Sequence, residues 1–320
     1  MSRGAAALQA WLLKQHGLNV AAAGCVARLD CEIYRLKVSG PSETGDWALR
    51  IYPTRVSDAV SIHDELAWLA ALGEAGLLVP APRAGLDGSF IHPWIDGRLA
   101  VVLRWVDGRL LDKALRPIHL ERVGRLAGAM HRVAESMEAD GHFAGTRPGD
   151  GPELEQWAAG RPAHPALPPS AHQRVQRAAQ RLLAQLEGFP RDAAHWGFIH
   201  SDLHPWNLLF SGRTAGAIDF SECGRGFHAQ DLAAVLQYLK HPVVGNHAEH
   251  ARVYPRHRAA LLEGYAKERP LPPDIERQLD AFIELRMVNT IEWVLDCWPT
   301  LDERPWGRTF LQRAGEFFAD

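Results

Sequence analysis

The chain has 320 residues, a formal charge of −3 and 47% apolar residues. That length suits two medium lobes or one large domain, and the apolar share supplies a sizeable core and excludes global disorder. The slight negative charge argues against nucleic acid or an anionic membrane as partner, because either favours a basic face.

The 16 histidines are scattered rather than clustered. Cys25, Cys31, Cys223 and Cys297 lack CxxC spacing and are too sparse for a disulfide framework, so they read as free thiols in a reducing compartment. Lys14, Gln15 and His16 stand where a signal peptide would need an apolar run, and no stretch reaches the length of a membrane span. A cytoplasmic location is the expectation.

In chain order, Ala5 to His16 reads as a short amphipathic helix. Three β-type runs follow, Val20 to Leu29, Glu32 to Val38 and Trp47 to Tyr52, with Pro41 to Gly45 as the connection between the last two. Ser57 or Asp58 can cap a helix running to about Gly76, with Ile62, Leu66, Leu69 and Leu72 on one face. Phe90 to Trp94 and Leu99 to Val106 read as strands joined by Asp96-Gly97. Beyond Asp107-Gly108, Leu120 to Met137 is helical, and Gly141 to Pro169 reads as a long loop rich in glycine and proline. Further helices are expected over Arg174 to Leu186 and over 229–240, 250–268, 273–296 and 307–318. The pattern is α+β: a β-rich N-terminal lobe over residues 1–105 and a mostly helical C-terminal lobe over 106–320.

Between the helices lies HSDLHPWN, His200 to Asn207, followed by AIDF at Ala217 to Phe220. Three readings compete. His200, Asp202 and His204 alternate as zinc ligands on a strand would, but Pro205 ends any ladder and no second cluster supplies further ligands. A plain turn around a buried histidine leaves Asp202, Asn207 and Asp219 unexplained together. The third reading is phosphoryl transfer. Protein kinases carry H-R-D-L-x-x-x-N, in which Asp meets the acceptor hydroxyl and Asn holds Mg²⁺. Asp202 and Asn207 keep that five-residue separation, and Asp219 lies twelve residues beyond Asn207 across an expected hairpin. Mg²⁺ prefers oxygen, so a carboxylate, an amide oxygen and ATP phosphates suit it. A second carboxylate is needed near the incoming hydroxyl.

The run HxDLHPxN followed by IDF resembles the aminoglycoside phosphotransferase and choline kinase superfamily, small-molecule kinases with a bilobal, protein-kinase-like fold. Cys223-Gly224-Arg225-Gly226 and Asp231-Leu232-Ala233 are similar to the segment that follows the metal aspartate in many bacterial members. The resemblance extends over most of the chain and implies further roles. Arg50, in Leu49-Arg50-Ile51, stands where a phosphate-contacting base, usually Lys, is placed, and Glu65 where its acidic partner is. Leu103 to Gly108 resembles the hinge, so Arg104, Trp105 and Val106 are expected at adenine. His131 and Asp231 look structural, the latter bracing the catalytic loop. The segment before Glu32 lacks the glycines that let backbone amides close over phosphates.

The resemblance therefore implies ATP- and Mg²⁺-dependent transfer of a phosphate to a small-molecule hydroxyl, by a monomer or homodimer. Asp202 is the expected catalytic residue and Asn207 and Asp219 the expected metal ligands. The alternative is a nucleotide-binding pseudokinase with a regulatory role. For the acceptor, Glu292 and Asp296 lie one turn apart near Trp293 and Trp298, and Trp157 stands in the insertion. Acids with tryptophans suit a cationic acceptor. The competing reading is a solvated helix face above the core stripe Ile283, Met287, Ile291 and Val294, with Glu222 as another acid that could meet the acceptor.

Overall fold

A computed structural model describes residues 3–28, 31–40, 44–53, 59–111, 114–145, 153–240, 248–297 and 305–318. The chain divides into two compact units, each with its own core. The expected cap at Ser57 or Asp58, the centre of the Pro41 to Gly45 connection and Trp298 lie outside the described residues.

The first unit comprises Met1–Arg109, Ala139–Gly145 and Leu209–Ser221. It contains α1 (Arg3–His16), β1 (Val20–Arg28), β2 (Glu32–Ser39), β3 (Thr44–Ile51), α2 (Ala59–Glu74), β4 (Ile91–Pro93) and β5 (Leu99–Arg104). The strands form one antiparallel sheet in the order β1-β2-β3-β5-β4. Side chains alternate between the faces of a strand, and this decides what β3 does. Trp47, Leu49 and Ile51 join Leu8, Trp11 and Leu12 of α1 in one apolar cluster. Arg50 therefore points to the other face. There α2 buries Ile62, Leu66, Trp68, Leu69 and Leu72, and it also buries Glu65.

The later segment of this unit carries most of β7 (Leu208–Ser211) and all of β8 (Thr214–Ala217), which pair. Gly216 packs against Leu78, where a side chain would collide with the Leu78 carbonyl, and Ala217 N–H donates to that carbonyl at 3.1 Å. The expected hairpin forms; its second strand ends at Ala217, and Asp219, two residues on, adopts a left-handed backbone with φ 62°.

The second unit comprises Leu110–Glu138, Thr146–Leu208 and Glu222–Asp320. Its helices are α3 (Pro117–Ala139), α4 (Glu153–Gly160), α5 (Pro169–Leu186), α6 (His228–Lys240), α7 (Ala248–Ala266), α8 (Pro273–Asp296) and α9 (Pro305–Arg313). Two short strands, β6 (Trp196–Ile199) and β9 (Gly224–Phe227), pair antiparallel. Neither was expected, since four-residue runs containing glycine carry little β signal. The segment read as a loop over Gly141 to Pro169 contains α4, which buries Leu154 and Trp157. On α3 and α7, Gly124 and Gly264 let the two backbones approach so closely that a Cβ on either would strike the opposite helix's carbonyls. Ile283, Met287, Ile291 and Val294 on α8 are fully buried, as the stripe predicts. Among the described residues no helix is long and apolar enough to cross a membrane.

Candidate active site

The HSDLHPWN loop leaves β6 at His200 and turns sharply. Ser201 has φ 66°, and it and Asp219 are the only non-glycine residues with positive φ among those described. Such conformations cost about 1–3 kcal/mol and concentrate at functional sites. Asp231, fully buried in the first turn of α6, holds this turn by accepting the backbone N–H groups of His200 (2.9 Å) and Ser201 (2.8 Å). Burial would raise the Asp231 carboxyl, but its bond with His131 and the nearby His200 outweigh this and lower it. His131 Nε2 lies 3.0 Å from Asp231 Oδ2, and its Nδ1 lies 3.0 Å from the Tyr265 hydroxyl. His131 is thus a core residue and Asp231 the loop's brace, as the resemblance implied.

Asp202 is 22% exposed at its side chain and heavily engaged. Its Oδ2 accepts from Asn207 Nδ2 at 3.1 Å, and His204 Nε2 is 3.4 Å away. The Asp202 backbone carbonyl also accepts from Asn207 Nδ2, at 3.0 Å. A short 3₁₀ turn, Pro205–Asn207, folds Asn207 back to make both contacts. The other carboxylate oxygen is held by Arg286 of α8, which also donates to the Ser201 carbonyl at 3.1 Å. Burial would raise the Asp202 carboxyl, but the Arg286 guanidinium, with His204 and His200, holds it below the usual aspartate range. Burial lowers the His204 imidazole. The ring of His204 packs with Trp206 and Tyr238, at centroid distances of 5.9 and 5.5 Å.

The first unit carries the other expected residues. Arg50 is 4% exposed and donates to Glu65 at 2.5 Å, while the Tyr52 hydroxyl donates to the second Glu65 oxygen at 3.3 Å. Burial opposes the Arg50 charge, yet Glu65, Tyr52 and Asp219 together raise its pKa well above the ordinary value. Arg50 Nη2 reaches Asp219 Oδ1 at 3.8 Å, and Ser221 Oγ donates to the same oxygen at 2.9 Å. Phe220, next in sequence, is fully buried edge-on against Trp68 of α2 at 5.3 Å. At the expected hinge, Arg104 N–H donates to Ala81 and Trp105 N–H to Asp46.

The acceptor candidates separate. Glu292 is 7% exposed, accepting from Trp157 Nε1 (2.9 Å) and from Arg161 (2.7 Å), so it is neither a solvated acid nor free to meet a cation. Asp296 is 70% exposed, 3.8 Å from Arg161, and Glu222 is exposed. Trp293 is about half exposed and stacks on Trp306, with centroids 6.2 Å apart. Arg286 was missed. A single cation beside an apolar helical stripe gives no local signal, and only its contact with Asp202 marks it.

The sequence profile of the phosphotransferase enzyme family matches residues 34–271. A homoserine kinase of Sinorhizobium fredii is 31% identical over 194 residues, covering 60% of this chain and 56% of that protein. An amicoumacin kinase of Bacillus subtilis is 25% identical over 228 residues, covering 69% of this chain and 66% of that protein. The chain thus spans less than two thirds of the length of these relatives. Among solved structures, amicoumacin kinase hAmiN in complex with AMP-PNP, Ca²⁺ and Ami has a TM-score of 0.79 at 17% identity, covering 99% of this chain and 94% of that one. At that identity the likeness establishes the fold, which is α+β and protein-kinase-like, as expected.

Proposed function

This chain belongs to the phosphotransferase enzyme family, and on that premise we propose that it transfers the γ-phosphate of ATP to a hydroxyl of a small molecule. The observation that carries the reading is the Asp202–Asn207 pairing in a turn clamped by Asp231. It supplies a fixed carboxylate for the acceptor and an amide beside it. The acceptor oxygen forms a bond to the γ-phosphorus as the bond to the β–γ bridging oxygen breaks. ADP leaves, and the hydroxyl proton passes through Asp202 to solvent. Such transfer is mostly positioning and charge stabilisation, so a carboxylate of low basicity suffices if it orients the hydroxyl.

Asn207 turns its amide nitrogen to Asp202, which leaves its oxygen for a hard cation, and Asp219 offers a half-exposed carboxylate. Each is an oxygen donor of the kind Mg²⁺ prefers, and the ion would supply charge neutralisation to the phosphates. Arg50, set by Glu65, contacts the phosphates, and the Val106 N–H contacts adenine. The complex of the hAmiN structure with AMP-PNP and Ca²⁺ supports a nucleotide and a divalent cation. The homoserine kinase relatives make hydroxylated amino acids the first acceptors to try. The test is ADP release with and without Mg²⁺ against a panel of amino alcohols, hydroxy amino acids, sugars and aminoglycosides. Turnover stimulated by none of them would reject the reading.

A further inference from the structure

Arg286 stands beside the carboxylate to which the transfer reading assigns the acceptor, yet neither motif includes it. Its guanidinium is shared between Asp202 and the Ser201 carbonyl. A guanidinium carries five N–H groups in a rigid fork, so these contacts leave donor capacity unused. Nε has no hydrogen-bond partner among the described residues, and the side chain is 21% exposed.

The neighbours extend the same face. Arg286, Asn289 and Trp293 recur at the i, i+3, i+7 spacing of one side of a helix, and all three are at least partly exposed while Met287, Val288 and Ile291 are buried. Asn289 Oδ1 also lacks a partner. Thr290, one turn after Arg286, is already engaged, donating to the Arg286 carbonyl at 2.7 Å and accepting from Gln237 at 3.2 Å. This stripe therefore begins at the Asp202 carboxylate and runs along α8 to Trp293, with polar groups at its start.

Charge decides what this stripe can receive. A cationic acceptor needs uncompensated acids, and Glu292, the acid best placed in sequence, is buried against Arg161 and Trp157. The groups around Asp202 are Arg286, His204, His200 and Asn207, so the carboxylate is already compensated by a fixed cation. An acceptor's ammonium placed here meets like charge in partly desolvated surroundings. A carboxylate instead gives the guanidinium a second anion to bridge, and charge-assisted, two-pronged contacts of this kind are the strong ones.

We propose that Arg286 is a specificity-determining and positioning residue, which fixes Asp202 and selects a hydroxylated acceptor carrying a carboxylate over one carrying an ammonium alone. The inference rests on the transfer reading for its site and extends it to the acceptor class.

Two matched pairs of probes test it, L-homoserine against 3-aminopropan-1-ol and L-serine against ethanolamine. Members of each pair share hydroxyl and amine and differ by the carboxylate. Binding to the full chain without nucleotide is measured by calorimetry, and kcat and KM are measured with Mg²⁺–ATP. In at least one pair the wild type is expected to bind the carboxylate member about 10–100-fold more tightly. Arg286→Met abolishes that preference and also lowers kcat, leaving ATP affinity unchanged. Arg286→Lys, the variant that keeps the charge if Met disturbs folding, retains the preference with a raised acceptor KM. Added guanidinium restores part of the kcat lost in Arg286→Ala, which a merely structural role would not allow. Equal binding within both pairs, preference for the amine members, no binding of any probe, or a preference that survives in Arg286→Met overturns the proposal. A carboxylate preference without phosphate transfer rejects the transfer reading and leaves Arg286 as the selector; transfer without the preference rejects Arg286 alone.

Discussion

Arg50 lies between two carboxylates, 2.5 Å from Glu65 and 3.8 Å from Asp219, on a buried stem of β3. The two contacts differ in kind. Glu65 is 4% exposed at its side chain and Asp219 is 50% exposed. The first pair fixes the guanidinium. The second, longer and half in water, is weak by comparison and leaves Asp219 available to another cation. The strand, the α2 helix and the IDF segment are thereby tied at one point within the first unit.

Arg50 should accept Lys better than Met. Lys keeps the charge opposite Glu65 but cannot reproduce a forked contact, so ATP affinity is expected to fall mildly. Met leaves Glu65 as an uncompensated buried charge, which costs about 3–5 kcal/mol of stability, and would also remove the proposed phosphate contact. Chemical denaturation and nucleotide titration of both variants check the order. Unchanged ATP affinity in Arg50→Met would remove Arg50 from nucleotide binding.

Asp219→Asn should weaken binding of Mg²⁺–ATP more than Asn207→Ala does. A carboxylate gives the cation charge as well as an oxygen, whereas the amide gives only a dipole. Titrating Mg²⁺ at fixed ATP measures both variants, and an equal or reversed ranking would exclude Asp219 as the principal ligand.

The features legible in the sequence were those with a period or a motif. The helical stripes on α2 and α8 predicted which side chains are buried, because one face of each helix meets the core. The spacing from Asp202 to Asn207 was legible as a motif, but their contact was not, since it depends on a single 3₁₀ turn that returns one to the other. What escaped was either too short or too distant. β6 and β9 are four residues each, and their pairing joins positions on either side of the HSDLHPWN loop. Glu292 looked like an exposed helical acid because its partners, Trp157 and Arg161, belong to an insertion more than 100 residues earlier. Arg286 meets Asp202 across 84 positions, and no local pattern encodes that.

Asp202→Asn should abolish turnover and leave nucleotide affinity nearly intact if Asp202 meets the acceptor as proposed. Loss of a positioned carboxylate typically costs about 10²–10⁴-fold in rate. Asn preserves shape and keeps an oxygen for Arg286, so a folding defect is not the expected cause. Full turnover in this variant would end the assignment.

Stability should decline as the medium is acidified below about pH 6.5, partly through two buried histidines. His16, with burial as the main cause and His92 and Arg83 adding to it against Asp87, is lowered to about 4. His228, buried beside His131 and Arg269, is lowered to about 2. For each, the unfolded chain takes up a proton near pH 6.5 while the folded protein resists it. Protonation therefore favours unfolding, and stability present above pH 6.5 falls as pH drops toward the folded value. The slope is about 1.4 kcal/mol per pH unit for each histidine. Urea denaturation at pH 7 and pH 5 measures it. His16→Leu, at a ring with no hydrogen-bond partner among the described residues, should make the decline shallower by one proton. A slope identical to that of the wild type would exclude His16 as a contributor.

Asp231→Asn should damage the loop more than its conservative chemistry suggests. The carboxylate accepts from the N–H groups of His200 and Ser201 and pairs with His131, all at 2.8–3.0 Å and fully buried. An amide has one acceptor oxygen in place of two, so at least one buried group loses its partner or faces an NH₂ donor. Each unsatisfied buried group costs about 1–3 kcal/mol, and the left-handed Ser201 backbone, held at its carbonyl by Arg286, loses the grip on its N–H. The expected result is a loss of about 2–4 kcal/mol in stability together with a fall in kcat, while ATP affinity stays near that of the wild type. The second readout separates loop positioning from simple core damage. His131→Asn disturbs the same core contact but leaves both backbone bonds to Asp231 in place, so it should lower stability with a smaller effect on kcat. If the two variants reduce kcat equally at matched stability, Asp231 does not position the loop.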